Sequence, residues 1–290
     1  MRVRRVRRKI ALVLFGQPRF IDNGFAIQSH KWHFRKYEFD VYGHYWYSTE
    51  SKYQLSSWTG IKNTDSIVPE TAPQTIRRAF PKGTFIESPP QIFSPPEPFA
   101  HLLSDYLTSY GLRSEFERLR SDPQSMYSNT TSQLFSINQA LGLVRASAKD
   151  YDLVVLSRWD NLVLRLPNLE SVSADKLTIS DSHDFGFPDL ILIGGPKLIE
   201  ATDAYPAIPE IFGSVPSMTA EKVKQANFFQ RYTLADLERK RLSVSLVRGS
   251  GIKWLVKNLI DQLAIGPKIS RLTPSFLRRI TYKLLGRSPD

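Results

Sequence analysis

The 290-residue sequence contains no cysteine. This absence excludes disulfides, thiolate metal sites and cysteine nucleophiles, and it is compatible with a reducing cytosol. Long hydrophobic runs are also missing, because no segment approaches the ~20 apolar residues that a membrane-spanning helix needs. The apolar run 10–15 follows a basic stretch, as in a signal peptide, but it is too short and no small-residue cleavage site follows it. We predict that it is a buried strand.

Several catalytic signatures are absent. Neither GxxxxGKS/T nor GxGxxG occurs, which removes the best evidence for a P-loop ATPase or a dinucleotide-dependent dehydrogenase. No HExxH spacing points to a zinc hydrolase, and Ser157 lies outside a GxSxG turn, which disfavours an α/β-hydrolase. Four of the five histidines stand in aromatic or amphipathic segments and are predicted to be structural: His30, His33, His44 and His101.

The excess of positive charge lies at the two ends of the chain. Residues 1–10 carry six basic groups and no acidic ones, and residues 250–290 carry eight basic and two acidic groups. Each end therefore contributes +6 to the net charge of +11, which leaves −1 for residues 11–249. A nearly neutral body argues against nucleic-acid binding across the folded part. A non-catalytic nucleic-acid-binding protein that uses its basic ends is the alternative.

The order of apolar segments predicts an α/β fold. Strands are predicted at 10–15, 39–46, 84–87, 152–157, 176–179, 190–193 and 242–247, and helices at 22–37, 101–120, 131–148, 197–204 and 219–238. Strands that alternate with helical patterns indicate a mostly parallel, Rossmann-like sheet with crossover helices. We therefore divide the chain into a basic arm (1–8), a folded body (9–249) and a tail (250–290).

The tail has a pattern of its own. Apolar residues in 252–263 recur at helical spacing, and a second amphipathic helix is predicted to begin at Thr273 and Pro274. Basic residues surround the apolar side of that second helix. Together with the basic arm, these helices predict binding to an anionic membrane surface. The alternative is that the first helix packs on the body.

Three polar clusters follow predicted strands: 16–19, 158–160 and 181–189. Ligands of open α/β sheets lie beyond the carboxyl ends of the strands, so these clusters are candidates for one site. Gly16 allows close approach of the backbone to a ligand, and Arg19 can pair with a diphosphate. The alternative for this first cluster is a tight turn between a strand and a helix.

The other two clusters carry carboxylates. Asp160 can bind Mg²⁺ or Mn²⁺ that bridges a diphosphate, and Arg158 can neutralise phosphate or orient that carboxylate. A surface ion pair is the alternative. His183, Asp184 and Asp189 crowd one loop, where they can supply a metal ligand, a base or hydrogen bonds to sugar hydroxyls. Asp184 can equally be a turn residue that bonds its own backbone.

Four segments carry a resemblance to a known group of proteins. They are residues 9–19, which end in Gly-Gln-Pro-Arg; residues 39–46, Phe-Asp-Val-Tyr-Gly-His-Tyr-Trp; residues 132–160, which end in Ser-Arg-Trp-Asp; and residues 189–194, Asp-Leu-Ile-Leu-Ile-Gly. In order and context they resemble bacterial and viral glycosyltransferase-like proteins with a GT-A-type fold. The resemblance covers residues 9–240.

The resemblance implies roles for the clusters. Gly16, Gln17 and Arg19 would line the nucleotide of the donor, and His183 would bind the donor as well. Arg158 and Asp160 would stand in the place of the DxD motif, with Asp160 as ligand of Mn²⁺ or Mg²⁺, although arginine replaces the first aspartate. For sugar transfer, Asp184 and Asp189 are the predicted catalytic residues, of which one or the other contacts the donor sugar or acts as the base.

The function that follows is transfer of a sugar from a nucleotide sugar to a glycan or lipid-linked acceptor. We expect this reaction in the synthesis of surface polysaccharide or glycoconjugates, by a cytoplasmic protein peripheral to a membrane and with no nucleic-acid partner. The other alternative is a degenerate glycosyltransferase fold that acts as a membrane-associated scaffold, which the arginine in the DxD-like position keeps open.

Overall fold

The computed structural model describes residues 8–49, 68–91, 93–94, 123–180, 190–200, 232 and 234–246. The strands are β1 (Lys9–Phe15), β2 (Glu38–Trp46), β3 (Thr84–Ser88), β4 (Leu153–Arg158), β5 (Asn161–Arg165), β6 (Leu177–Ser180), β7 (Ile191–Gly194), β8 (Leu237–Lys240) and β9 (Ser243–Leu246). The α-helices are α1 (Phe25–Phe34), α2 (Ala72–Ala79) and α3 (Pro123–Ala146). Short 3₁₀ helices occupy Ile21–Asn23, Leu169–Ser171, Pro196–Glu200 and Leu234–Asp236.

Seven strands form one sheet in the order β3-β2-β1-β4-β7-β6-β8. β7 runs antiparallel to both of its neighbours, and the other pairs are parallel. The prediction of a mostly parallel sheet is therefore confirmed. β5 and β9 form a separate antiparallel pair. The carboxyl ends of β1, β2, β3, β4 and β6 share one edge of the sheet, called the carboxyl edge below.

β1 lies at the centre of two apolar layers. Its residues Ile10 to Phe15 are at most 1 % exposed. Since side chains alternate along a strand, one set packs in the layer that contains α3, and the other set packs in the layer that contains residues of α1 and α2. Apart from Ala11, each of these buried side chains stabilises the fold by about 1.5–3 kcal/mol. The continuous apolar run of β1 thus reflects burial on both faces.

The sequence prediction is wrong at the end of the helix placed at 219–238. The structure has a 3₁₀ turn at Leu234–Asp236 and then β8, which pairs in parallel with β6. β8 reads Leu-Glu-Arg-Lys, a charged sequence that suits an edge strand with one side towards solvent. Pairing with β6, rather than local propensity, decides its conformation. Helix α2 and strand β5 were not predicted.

The first described residues belong to the body. Arg8 donates hydrogen bonds to the carbonyls of Leu169 and Val172, at 3.0 and 2.7 Å. Lys9 opens β1, and its backbone N–H donates to the carboxylate of Asp152. Arg8, which the sequence analysis placed in the basic arm, therefore also anchors the chain to the fold. Residues 1–7, the predicted helix at 101–120 and the tail lie outside the described residues.

None of the described helices combines the length and the apolar character that crossing a membrane requires.

Candidate functional site

Two of the three predicted clusters lie side by side at the carboxyl edge. β1 and β4 are neighbours, with Phe15 opposite Arg158. The backbone N–H of Trp159 donates to the carbonyl of Phe15 at 3.1 Å, and that of Trp46 donates to the carbonyl of Gly16 at 3.4 Å. One backbone hydrogen bond therefore ties the end of β1 to the segment after β4, and the other ties the turn after β1 to the end of β2.

Trp159 fixes the end of β4. It is 1 % exposed, its Nε1–H donates to the carbonyl of His44 at 2.9 Å, and its ring packs against those of Tyr45 and Phe85. Gly43 makes room for this ring, because a Cβ there would lie 2.6 Å from a ring carbon of Trp159. The indole is a core group and therefore orients the residues on both sides of it.

The side chains on either side of Trp159 meet each other. Arg158 donates from Nε to Oδ1 of Asp160 and from Nη2 to Oδ2, both at 2.8 Å. Nη1 of Arg19 lies 3.8 Å from the same Oδ2, and Nε of Arg19 donates to Oε1 of Gln17 at 2.7 Å. We call Arg19, Arg158 and Asp160 the arginine cluster. It holds two positive charges and one negative charge.

The arginine cluster is buried. Asp160 is 1 % exposed and Arg19 8 %, whereas Arg158 keeps 22 % of its side chain exposed. The pKa of Arg19 is lowered to about 10, chiefly by burial; Asp160 opposes this lowering, and the nearby Arg158 adds to it. Arg19 remains protonated at neutral pH. An anion bound here would relieve the repulsion between the two guanidinium groups.

Gly16 is held by hydrogen bonds from two other elements. Its φ of +92° lies in the left-handed region that favours glycine. Its N–H donates to Oγ of Ser136 in α3 at 2.8 Å, and that hydroxyl bonds Nδ1 of His44 at 2.7 Å. Nε2 of His44 lies 3.0 Å from Oγ of Ser88. Burial lowers the pKa of His44 to about 4, so the ring is neutral at pH 7. We call Gly16, Ser136, His44 and Ser88 the serine–histidine chain.

The other described histidines are structural, as predicted. Nδ1 of His30 bonds a backbone carbonyl of α1, and Nε2 bonds Oγ of Ser157 at 2.9 Å. The amide of Asn161 donates to the same hydroxyl at 3.0 Å, so both partners secure β4 near its end. His33 bonds a backbone carbonyl of β5. His101 lies outside the described residues.

A shallow groove opens further along the carboxyl edge. It has a volume of about 280 Å³ and is lined by Tyr47, Ser48 and Thr49, which follow β2, and by Glu87 and Pro89 at the end of β3. β2 is the neighbour of β1, and adjacent strands are about 4.8 Å apart. The groove and the arginine cluster therefore lie on one edge of one sheet.

The third predicted cluster is outside the described residues. β6 ends at Ser180 and β7 begins at Ile191, and the description resumes at Leu190 between them. His183, Asp184 and Asp189 all fall in the gap. Their roles in donor binding and catalysis stay predictions.

The described residues do not fit a divalent cation at Asp160. Both carboxylate oxygens accept hydrogen bonds from Arg158, and Arg19 lies against one of them. A cation in contact with Asp160 would have to displace a guanidinium group and then lie beside two positive charges. Within the described ranges, no three His, Asp or Glu side chains gather in a way that could hold a metal ion.

Comparison with known proteins adds only weak likenesses. No family model matches the sequence, and no curated protein matches it. Among solved structures, the PaToxG glycosyltransferase is similar at a TM-score of 0.33 and 11 % identity, over 97 % of this chain and 79 % of that one. The galactosyltransferase LgtC, in complex with donor and acceptor sugar analogs, is similar at a TM-score of 0.34 and 10 % identity, over 79 % and 72 %. Likenesses at these scores carry no argument about function.

Proposed function

We propose that this protein is a glycosyltransferase whose arginine cluster binds the diphosphate of a nucleotide-sugar donor. One observation carries the proposal: two arginines share a single buried carboxylate at the carboxyl edge, where ligands of open α/β sheets bind. Two guanidinium groups beside one carboxylate, with the Arg158 side chain 22 % exposed to solvent, suit an anionic ligand. Guanidinium groups match the geometry of phosphate oxygens.

In the proposed reaction, the bond between the anomeric carbon and the diphosphate oxygen breaks, and the hydroxyl oxygen of the acceptor bonds to that carbon. The electron pair of the broken bond leaves on the diphosphate, whose growing charge Arg158 and Arg19 stabilise. The proton of the acceptor passes to a base, for which Asp184 and Asp189 are the proposed candidates. Gly16 and Gln17 complete the donor side, and His183 contacts the donor sugar.

The groove beside β2 and β3 offers room for the nucleoside. Tyr47 supplies an aromatic face, and Glu87 supplies a carboxylate that can accept hydrogen bonds from ribose hydroxyls. Small-molecule sites commonly combine an aromatic wall with a few polar groups of this kind. The acceptor that we propose is a glycan or a lipid-linked sugar, in surface polysaccharide or glycoconjugate synthesis.

A thermal-shift screen of nucleoside diphosphates and their sugar conjugates tests the donor site. A ligand at ~100 times its dissociation constant stabilises the fold by about 2.7 kcal/mol. We expect at least one of these compounds to raise the melting temperature of the wild type and to have a smaller effect on Arg158→Ala. Arg35→Ala, a change at an arginine stacked on Trp32 at the end of α1, is the matched control and should respond like the wild type. If no compound at millimolar concentration shifts the melting curve, the donor-site proposal is wrong.

We further propose that the basic ends hold the protein at the cytoplasmic face of an anionic membrane. Residues 1–10 and 250–290 each carry a net charge of +6. Each basic group near such a surface contributes about 1 kcal/mol, and salt screens this attraction. The full chain should float with vesicles that contain anionic lipid at low salt and leave them at high salt. Equal recovery with purely zwitterionic vesicles would contradict electrostatic docking.

A further inference from the structure

The geometry of the arginine cluster points to a diphosphate site that works without a divalent cation, and we infer that Asp160 positions the two arginines instead of binding metal. This inference rests on the proposed function. It concerns how the donor is held, and it departs from the metal site that the resemblance to GT-A proteins implies.

The carboxylate of Asp160 is already occupied by a protein side chain. Arg158 covers Asp160 with two hydrogen bonds of 2.8 Å, one to each oxygen, in the bidentate arrangement that is strongest for an arginine–carboxylate pair. Asp160 is almost fully buried, so its lone pairs face protein. A metal would have to replace a charge-assisted pair that the fold already supplies.

Two guanidinium groups lie against Asp160, with Nη2 of Arg158 at 2.8 Å and Nη1 of Arg19 at 3.8 Å from Oδ2. A diphosphate is attracted to both groups, whereas a divalent cation in contact with Asp160 is repelled by both. Interactions between buried charges are screened weakly, so the difference between these two ligands is large.

The arginine cluster is held in place before a ligand binds. Trp159 is fixed in the core by its hydrogen bond to the carbonyl of His44, and it stands between Arg158 and Asp160 in the chain. Gln17 holds Nε of Arg19 on the other side. Asp160 fixes the orientation of the Arg158 guanidinium group, because it accepts hydrogen bonds from Nε and Nη2. Rigid donors of this kind need little reorganisation when an anion arrives.

Calorimetric titration of the full-length protein with inorganic pyrophosphate tests the inference. The wild type is titrated once in excess EDTA and once with saturating Mn²⁺. We expect binding in EDTA, with an affinity within about threefold of that measured with Mn²⁺, which corresponds to less than ~0.7 kcal/mol. Binding that requires Mn²⁺ would overturn the inference and leave the proposed donor site intact. Absence of binding under both conditions would remove the proposed donor site as well.

Two variants distinguish three roles for Asp160: positioning the arginines, binding a metal ion, and stabilising the fold only. Arg158→Lys keeps the charge but loses the bidentate edge, and should weaken pyrophosphate binding in EDTA by about tenfold. Asp160→Asn should weaken it by one common factor in EDTA and in Mn²⁺. Loss confined to Mn²⁺ would identify a metal ligand, and unchanged affinity per folded molecule would leave Asp160 with a structural role only. Arg35→Lys is the control and should bind like the wild type. If Asp160→Asn does not fold, Arg158→Lys and the wild-type comparison still decide the question.

Discussion

Two charged clusters lie at opposite edges of the same sheet, and they differ in the burial of their carboxylates. At the amino ends of β2 and β4, Asp40 accepts hydrogen bonds from Nζ of Lys149 at 2.9 Å and from the hydroxyl of Tyr151 at 2.8 Å. Tyr151 is buried and in turn bonds the buried Tyr42 at 2.6 Å. The ion pair itself is exposed, because the side chains of Lys149 and Asp40 are 56 % and 39 % exposed.

In the arginine cluster at the carboxyl edge, two guanidinium groups lie against one carboxylate, and that carboxylate is almost fully buried. An exposed ion pair contributes little to stability, whereas breaking a buried pair is costly. The two clusters should therefore respond differently when their carboxylates are removed.

Removing the carboxylate of Asp160 should lower the free energy of unfolding more than removing that of Asp40. Asp160→Asn removes the charge of the buried carboxylate that both guanidinium groups contact, and breaking a buried pair in this way costs about 3–5 kcal/mol. Asp40→Asn removes half of an exposed pair and should cost at most about 1 kcal/mol. Chemical denaturation of both variants measures the free energies of unfolding. Equal losses of unfolding free energy in the two variants would show that the two clusters do not differ in this way.

The packing of Trp159, which follows β4, can be tested by a substitution at Gly43. In Gly43→Ala the new Cβ would lie 2.6 Å from the ring of Trp159 and 2.9 Å from the carbonyl oxygen of Leu14. Overpacking of this kind costs about 1–3 kcal/mol. We expect a lower melting temperature and, because Trp159 orients the arginine cluster, weaker binding of nucleoside diphosphates.

Gly142→Ala is the matched control. Gly142 is in α3, and its nearest contact to a new Cβ, Nη2 of Arg145, is 3.7 Å away. Alanine in a helix interior should stabilise the fold by roughly 0.5–1 kcal/mol. The two changes are therefore expected to move the melting temperature in opposite directions. A gain of stability in Gly43→Ala would show that Trp159 is not confined as described.

The smallest effect is expected from pH at the amino edge. Burial of Asp40 raises its pKa, but the hydrogen bonds from Lys149 and Tyr151 outweigh this, so its pKa lies below the ordinary value. The resulting stabilisation is present above pH 4 and is lost as pH falls through the lowered pKa. Because the pair is exposed, Lys149→Gln should lower the free energy of unfolding only slightly at pH 7, and this loss should be smaller at pH 2. Denaturation at both pH values, with and without 1 M salt, measures the difference.

Much of the fold follows from local patterns in the sequence. The apolar runs at 10–15 and 152–157 predict buried strands because both faces of these strands meet helices or core side chains. β8 could not be predicted in this way, since its charged sequence forms a strand only through pairing with β6. The same holds for β5, which depends on its pairing with the distant β9.

The site was only partly predictable. Arg158 and Asp160 are two residues apart at the end of a strand, and that spacing puts their side chains on one side, so their pairing was within reach of the sequence. The approach of Arg19 to Asp160, and of Ser136 to Gly16, joins residues more than a hundred positions apart. Contacts of this kind depend on strand order, which no local pattern contains.

The proposed function depends most on recognition of a diphosphate by the arginine cluster. The direct test is calorimetric titration of wild type and Arg158→Ala with one nucleoside diphosphate, the compound most effective in the thermal-shift screen, and with its nucleoside lacking phosphates. Hydrogen bonds to charged groups contribute about 1.5–3 kcal/mol each, so the diphosphate should bind the wild type roughly a hundredfold more tightly than the nucleoside. Arg158→Ala should lose most of that difference and leave the affinity for the nucleoside unchanged. If the variant keeps the full preference for the diphosphate, the phosphates are bound elsewhere and the central claim is wrong.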